Sequence, residues 1–200
     1  MVQDGDAHHV YILRHATTEW SRSGKHTSRT DLPLTAEGEL RARQAGQTLA
    51  ALRSPGPVLV LVSPLQRAQR TAELAGLADS EPEPLLTEWD YGDYEGLTTA
   101  EIREQVPGWT VWDAGCPAGE TVEQITERTD RVLDRVRTTA ADVVLVGHGH
   151  FSRALIARWL DLPVPAGARF ALDPGAVSVL GRERAVPQLT RSNIPPWQQG

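Results

Sequence analysis

The sequence predicts an α/β fold, a three-layer αβα sandwich around a mainly parallel central sheet, and three observations carry that expectation. Short apolar runs alternate along the chain with amphipathic helical stretches. The run Val58-Leu59-Val60-Leu61-Val62 is apolar on both faces, as a parallel strand covered by helices on each side must be. No linker or internal repeat interrupts the alternation, and 200 residues is the usual size of one domain. A single domain over residues 1–200 is therefore expected, with 1–7 and 193–200 as loose tails.

Val10 to Leu13 reads as the first strand. Thr35 opens a helix to about Leu52, with Leu40, Ala45, Leu49 and Leu52 toward the core, and Ser54-Pro55-Gly56-Pro57 breaks it. After the second strand, Ser63-Pro64 starts another helix, Ser as N-cap and Pro at the first helical position, ending near Ala75-Gly76. Ser80 to Pro84 reads as a surface connection. Thr98-Thr99-Ala100-Glu101 and Thr121-Val122-Glu123-Gln124 have the form of capping boxes. The second opens a long helix with Val122, Ile125, Thr129, Val132, Leu133 and Val136 on one face. Asp142 to Val146 is a buried strand closed by Gly147-His148-Gly149-His150, and a helix follows from about Phe151 to Leu160. Arg169 to Leu172, Ala176 to Leu180 and Val186 to Thr190 read as later, partly antiparallel strands, and Asn193 to Gly200 as a loosely held tail.

Composition narrows the function classes. A net charge of −6 argues against general nucleic-acid binding, which needs a basic face, but allows a small anionic substrate where cations converge. The one cysteine, Cys116, excludes an intramolecular disulfide. The acidic start, Met1 to Asp6, is unlike a secretory signal, and no apolar run approaches the ~20 residues that span a bilayer. A cytoplasmic protein without membrane or nucleic-acid partners is the expectation.

Three strands end in chemistry suited to phosphate. Arg14-His15 follows the first, Ser63 with Arg67 one turn on follows the second, and His148 closes the Asp142–Val146 strand. If the strands are parallel, these groups meet at the carboxyl edge of the sheet, where open α/β folds bind ligands. Arginine grips phosphate with a rigid fork of donors, a neutral histidine can act as nucleophile, and a helix N-terminus there favours an anion. Glu88, in Glu88-Trp89-Asp90-Tyr91-Gly92, is a candidate proton donor, with Asp90, Asp93 and Glu95 close by. A metal reading would start from His148-Gly149-His150 and His8-His9, but no zinc-hydrolase spacing is present and Cys116 has no cysteine partner. It would also leave Arg14, His15 and Arg67 idle, so no metal or cofactor is expected.

Leu13-Arg14-His15, Asp31-Leu32-Pro33-Leu34-Thr35, Ser63-Pro64-Leu65-Gln66-Arg67-Ala68, Glu88 with Tyr91-Gly92, Glu95-Gly96 and Gly147-His148-Gly149 together resemble the histidine phosphatase superfamily. The closer match is its phosphoglycerate-mutase-like branch, and within that its acid-phosphatase members. The resemblance implies a phosphoglycerate-mutase-like fold and a metal-independent phosphoric monoester hydrolase. His15 would attack phosphorus and form a phosphohistidine, and Arg14, Arg67 and His148 would hold the phosphoryl oxygens. Glu88 would serve as general acid, then base. His148 would serve best protonated, donating from both nitrogens, whereas His15 needs a free nitrogen.

Two departures from the family pattern concern the nucleophile. Ala16 stands where the family usually has glycine, which is tolerable if its φ is negative and its carbonyl still orients His15. Ser21 stands where the mutases have asparagine and still offers phosphate a hydroxyl. The basic insertion that follows Gly92 in cofactor-dependent mutases is missing, which favours transfer of the phosphoryl group to water. The resemblance to acid phosphatases makes His26, Thr27, Tyr91, Cys116, Gly149 and His150 candidates for the substrate pocket. The expected substrate is a small phosphorylated metabolite, sugar phosphates among the candidates. A phosphoglycerate mutase, or a protein phosphatase acting on phosphohistidine or phosphotyrosine, is the alternative, and a homodimer is left open.

Overall fold

The computed structural model describes residues 8–77 and 79–197. Six strands form one sheet: β1 (Val10–Arg14), β2 (Val58–Val62), β3 (Ser80–Pro82), β4 (Asp142–Gly147), β5 (Val177–Glu183) and β6 (Val186–Ile194). Their spatial order is β3-β2-β4-β1-β5-β6. The pairs β3–β2, β2–β4 and β4–β1 are parallel, whereas β5 and β6 are added antiparallel on the far side of β1. Seven helices flank the sheet: α1 (Glu19–Ser23), α2 (Ala36–Leu52), α3 (Gln66–Leu74), α4 (Thr99–Gln105), α5 (Val111–Ala114), α6 (Val122–Arg137) and α7 (Gly149–Trp159).

The period of two along the strands divides the core into two layers. Val10 and Ile12 of β1, with Leu61, Val143 and Leu145, pack against α6, α7 and a cluster of Trp89, Trp109 and Trp112. Tyr11 and Leu13, with Val60, Val62, Val144 and Val146, pack against α2 and α3. Both capping boxes form, at Thr98 with Glu101 and at Thr121 with Gln124. No helix among the described residues is long and apolar enough to cross a membrane.

Several local expectations are corrected. Leu40 is 57% exposed, because α2 buries a stripe of Gly38, Ala42, Ala45, Thr48 and Leu49, with Leu52 only partly buried. Ser63 does not cap α3, which begins at Gln66 after Leu65; its hydroxyl is engaged by His148 instead. Ser80–Pro82 pairs with β2 as a short edge strand through main-chain bonds that do not depend on its polar side chains. Residues 169–172 form no strand: a 3-10 turn occupies Val164–Arg169 and a loop follows.

Residues 193–197 are held rather than loose. β6 runs to Ile194, the Asn193 amide pairs with Asp173, Thr48 donates to the Pro195 carbonyl and the Trp197 amide donates to Gln44. Residues 1–7 and 198–200, the remainder of the expected tails, lie outside the described residues.

Parallel register brings the strand ends together. Val62 is opposite Val146 and Arg14 opposite Gly147. Beyond those pairs the Ser63 amide bonds the Val146 carbonyl and the His15 amide bonds the Gly147 carbonyl. Arg14-His15, Ser63 and His148 therefore share one edge.

Candidate active site

At that edge a cleft of about 220 Å³ is lined by Arg14, His15, Ser21, Gly24, Lys25, His26, Thr27, Glu88, Tyr91, Thr99, Gly149, His150 and Arg153. The His15 ring is fixed by its own backbone neighbour: Nδ1 is 2.8 Å from the Ala16 carbonyl oxygen and must donate to it, since a carbonyl only accepts. The other nitrogen, Nε2, then keeps its lone pair. Burial first, and then the charges of Arg14 and Arg67, hold the His15 pKa well below the usual imidazole value, so the ring is neutral. Ala16 is not in the left-handed region, and its amide donates to Thr71 Oγ at 3.0 Å. Alanine thus meets the condition set for replacing glycine there.

Arg67 is wholly buried without a carboxylate partner among the described residues. It donates to the carbonyls of Thr27, Ser28 and Thr30 at 3.0–3.3 Å, and through Nε to His148 Nδ1 at 3.3 Å. The 27–30 loop that supplies those carbonyls is tied in turn to Glu95, which accepts from Ser28 and from the Thr30 amide. Burial opposes ionisation of Glu95, but these hydrogen bonds outweigh it and hold the carboxyl below its ordinary value.

His148 corrects an expectation. Its Nδ1 accepts from Arg67, so its proton is on Nε2, 2.7 Å from Ser63 Oγ. Burial, then Arg67, His15 and Arg14, push its pKa well down, and the ring is neutral in the free protein rather than doubly protonated. Its ring centre is 5.2 Å from that of His15.

Arg14 spends one nitrogen on the Leu172 carbonyl at 2.7 Å, while its buried Nε has no hydrogen-bond partner among the described residues. Such an orphaned donor costs free energy unless a ligand satisfies it. Gly149 makes room for this group, because a Cβ there would lie 3.2 Å from the guanidinium carbon.

Glu88 lines the same cleft with its carboxylate held by three backbone N–H groups: Trp89 and Phe151 on Oε1 at 2.9 and 2.8 Å, and His150 on Oε2 at 3.0 Å. The last two lie in the first turn of α7, whose N-terminal partial charge favours an anion. Behind Glu88, Arg128 forms a two-pronged pair with Glu120 and donates to the carbonyls of Leu85, Thr87 and Glu88.

The rest of the cleft is aromatic and polar. Tyr91 Oη is 2.6 Å from His150 Nδ1, and His26 Nε2 is 3.2 Å from Thr99 Oγ. Burial lifts the Tyr91 pKa well above its ordinary value and lowers those of His26 and His150, so this wall is neutral. The Tyr91 hydroxyl and the neutral His150 ring share this one hydrogen bond through Nδ1, which leaves Nε2 of that ring for a ligand.

Nine of the expected residues line the cleft: Arg14, His15, Ser21, His26, Thr27, Glu88, Tyr91, Gly149 and His150. Arg67 and His148 lie behind it, against His15. The Ser21 hydroxyl bonds the Thr18 carbonyl as part of the α1 capping box, so its proton is already committed. Cys116 does not line the cleft. It is packed in the tryptophan core, and burial pushes its thiol up to about 12. Sequence reasoning missed Lys25, Thr71, Thr99 and Arg153. The i,i+4 spacing of Arg67 with Thr71 and of Gly149 with Arg153 was the available signal for two of them.

The sequence profile described as "Histidine phosphatase superfamily (branch 1)" matches residues 10–195. An acid phosphatase of Mycobacterium tuberculosis is 47% identical over 184 residues, covering 91% of this chain and 90% of that protein. The sedoheptulose 1,7-bisphosphatase of Saccharomyces cerevisiae is 34% identical over 183 residues, covering 76% and 68% respectively. A solved structure of an open-reading-frame product from Mycobacterium tuberculosis superposes with a TM-score of 0.92 at 44% identity, covering 95% of this chain and 99% of the other.

Proposed function

This chain belongs to branch 1 of the histidine phosphatase superfamily and is a phosphatase of phosphorylated metabolites; on that premise we propose that it hydrolyses a small sugar phosphate, without a metal ion, through a phosphohistidine on His15. The observation that carries this reading is the His15 tautomer. Nδ1–H is committed to the Ala16 carbonyl, and the free Nε2 belongs to a cleft whose cations, the partly buried Arg14 and the buried Arg67 behind it, have no carboxylate partners among the described residues.

In the first step Nε2 attacks phosphorus in line. The N–P bond forms as the bond from phosphorus to the leaving oxygen breaks, and Glu88, entering this step as the carboxylic acid, protonates that oxygen and is left as the carboxylate. Arg14 Nε takes one non-bridging oxygen, and the Nε2–H of His148 takes another by exchanging its bond to Ser63 Oγ for the phosphoryl group, while Arg67 balances their charge from behind. Water then attacks the phosphohistidine, Glu88 takes its proton, the N–P bond breaks and orthophosphate leaves. The three N–H bonds to Glu88 fix its carboxylate, so little rotamer freedom is lost at each proton transfer. The reading treats the chain as a single catalytic domain, since one sheet edge supplies the nucleophile and its cations.

His15→Ala should lower turnover of p-nitrophenyl phosphate by at least about 10⁴-fold. Wild-type protein quenched during turnover should carry an acid-labile phosphoryl group on the peptide containing His15. Near-normal turnover by the variant, or label on another residue, sinks the proposal. Loss of wild-type activity in EDTA would overturn its metal-independent part.

A further inference from the structure

Phosphoryl transfer employs Arg14 and Arg67, yet the cleft contains two more cations that it leaves unused. In a chain of net charge −6, this cleft is lined by Arg14, Lys25 and Arg153 against a single carboxylate, Glu88. Lys25 is the only lysine in the sequence.

Arg153 has a built position. It projects from α7 four residues after Gly149, on the helix face that abuts Arg14 of β1. Its Nε and one terminal nitrogen donate to the carbonyls of Gly167 and Ala168, both at 3.1 Å, and its guanidinium carbon lies 4.8 Å from the centre of the Trp112 ring. Gly167 permits this packing: a Cβ there would be 2.6 Å from the Trp112 ring and 3.0 Å from the Arg153 carbonyl. No carboxylate pairs with Arg153 among the described residues. Two neutral carbonyls orient a guanidinium without neutralising it, which leaves a desolvated positive charge facing the cleft. Burial, followed by the neighbouring charge of Arg14, lowers its pKa, so the two cations lie within each other's field. Lys25 enters from the loop after α1, its ammonium 5.6 Å from the Trp20 ring centre and unpaired among the described residues. Between these cations, His26, Thr99 and the Tyr91–His150 pair offer hydrogen-bonding partners suited to a polyol.

We propose that the preferred substrate carries a second anionic group, phosphate or carboxylate, on its leaving portion, and that this group docks on Arg153 with Lys25 closing over it. The inference rests on the phosphatase reading and names the substrate class for that same cleft.

Competition against p-nitrophenyl phosphate hydrolysis reads affinity whether or not the competitor is itself turned over. Fructose 1,6-bisphosphate against fructose 1-phosphate and fructose 6-phosphate reports on a second phosphate; 3-phosphoglycerate against glycerol 3-phosphate reports on a carboxylate. At least one pair should show a preference of about 10-fold or more for the partner that carries the second anionic group. Arg153→Met should cut that preference by about 10-fold, and Arg153→Lys by less. Should Arg153→Met fail to fold, Lys25→Ala on its surface loop should still reduce the preference by about threefold. No preference in either wild-type pair, or a preference that survives these substitutions, overturns the proposal. Failure of the wild type to hydrolyse p-nitrophenyl phosphate would instead count against the phosphatase mechanism, so the two failures are distinguishable.

Discussion

At the phosphate end of the cleft most reactive side chains are fixed by main-chain atoms, whereas at the far end, Arg153 apart, the side chains hold one another. His15 is oriented by one carbonyl, Arg67 by three, Arg14 by one, and Glu88 by three N–H groups. Beyond them, His26 pairs with Thr99 and Tyr91 with His150, and the His26 ring centre is 4.7 Å from that of Tyr91 and 5.3 Å from that of Trp109. Main-chain groups survive substitution of their own side chains, so one end retains its geometry while the other can be altered residue by residue. Changes at the first end should therefore impair every substrate alike, and changes at the second should discriminate among them.

The largest effect that tests this contrast is expected for Arg67→Met. It removes a buried cation and leaves three carbonyls unsatisfied, so kcat should fall by roughly 10³-fold with any phosphomonoester and Tm should fall with it. A loss confined to one substrate would break the comparison. Arg14→Gln should cost about 10²-fold in kcat. It should also move the acid limb of kcat/KM to higher pH. The active His15 is neutral and its pKa is held below 6.5 by burial, Arg14 and Arg67, so deleting one of those charges lets the ring protonate sooner as pH falls. An unmoved acid limb would show that Arg14 does not act on His15.

Thr71→Val is a subtler probe of the same end. It orphans the Ala16 amide and should cost about 1–3 kcal/mol of stability, with a drop of about 10-fold in kcat, as measured by denaturant titration and steady-state kinetics. At the far end, Tyr91→Phe removes the hydroxyl that is hydrogen-bonded to His150. KM should change by about two- to tenfold, by different factors for different leaving groups. The smallest effect is expected at Cys116: iodoacetamide near neutral pH should leave both mass and activity unchanged, because the buried thiol is pushed up to about 12.

The contrast also sets how much was legible in the sequence. Arg14-His15, Ser63 and His148 stand directly after short apolar runs, and parallel register alone brings strand ends together, so the phosphate end could be read along the chain. For Arg153 the spacing from Gly149 gives only the helix face, because its orientation depends on Trp112 and on a turn at 164–169 that meet only in the folded chain. Cys116 is a pocket candidate only through the resemblance to acid phosphatases, whereas its depth in the core is a tertiary property. Leu40 failed for a related reason: α2 packs through Gly38, Ala42 and Ala45, and small residues give a weaker periodic signal than the leucine they leave outside. Ser80–Pro82 carries no apolar pattern at all, and only the neighbouring strand makes it one.

The carbonyl-held cations have one further consequence. Arg14 and Arg67 are assembled without a paired carboxylate among the described residues, so the resting protein carries an electrostatic debt that any phosphate dianion settles. Orthophosphate has the same oxygens as the group transferred from the substrate, and it leaves from the place where attraction is greatest. Turnover on such a site ends against a gradient of its own making: the charge that draws the substrate in also slows the departure of the product.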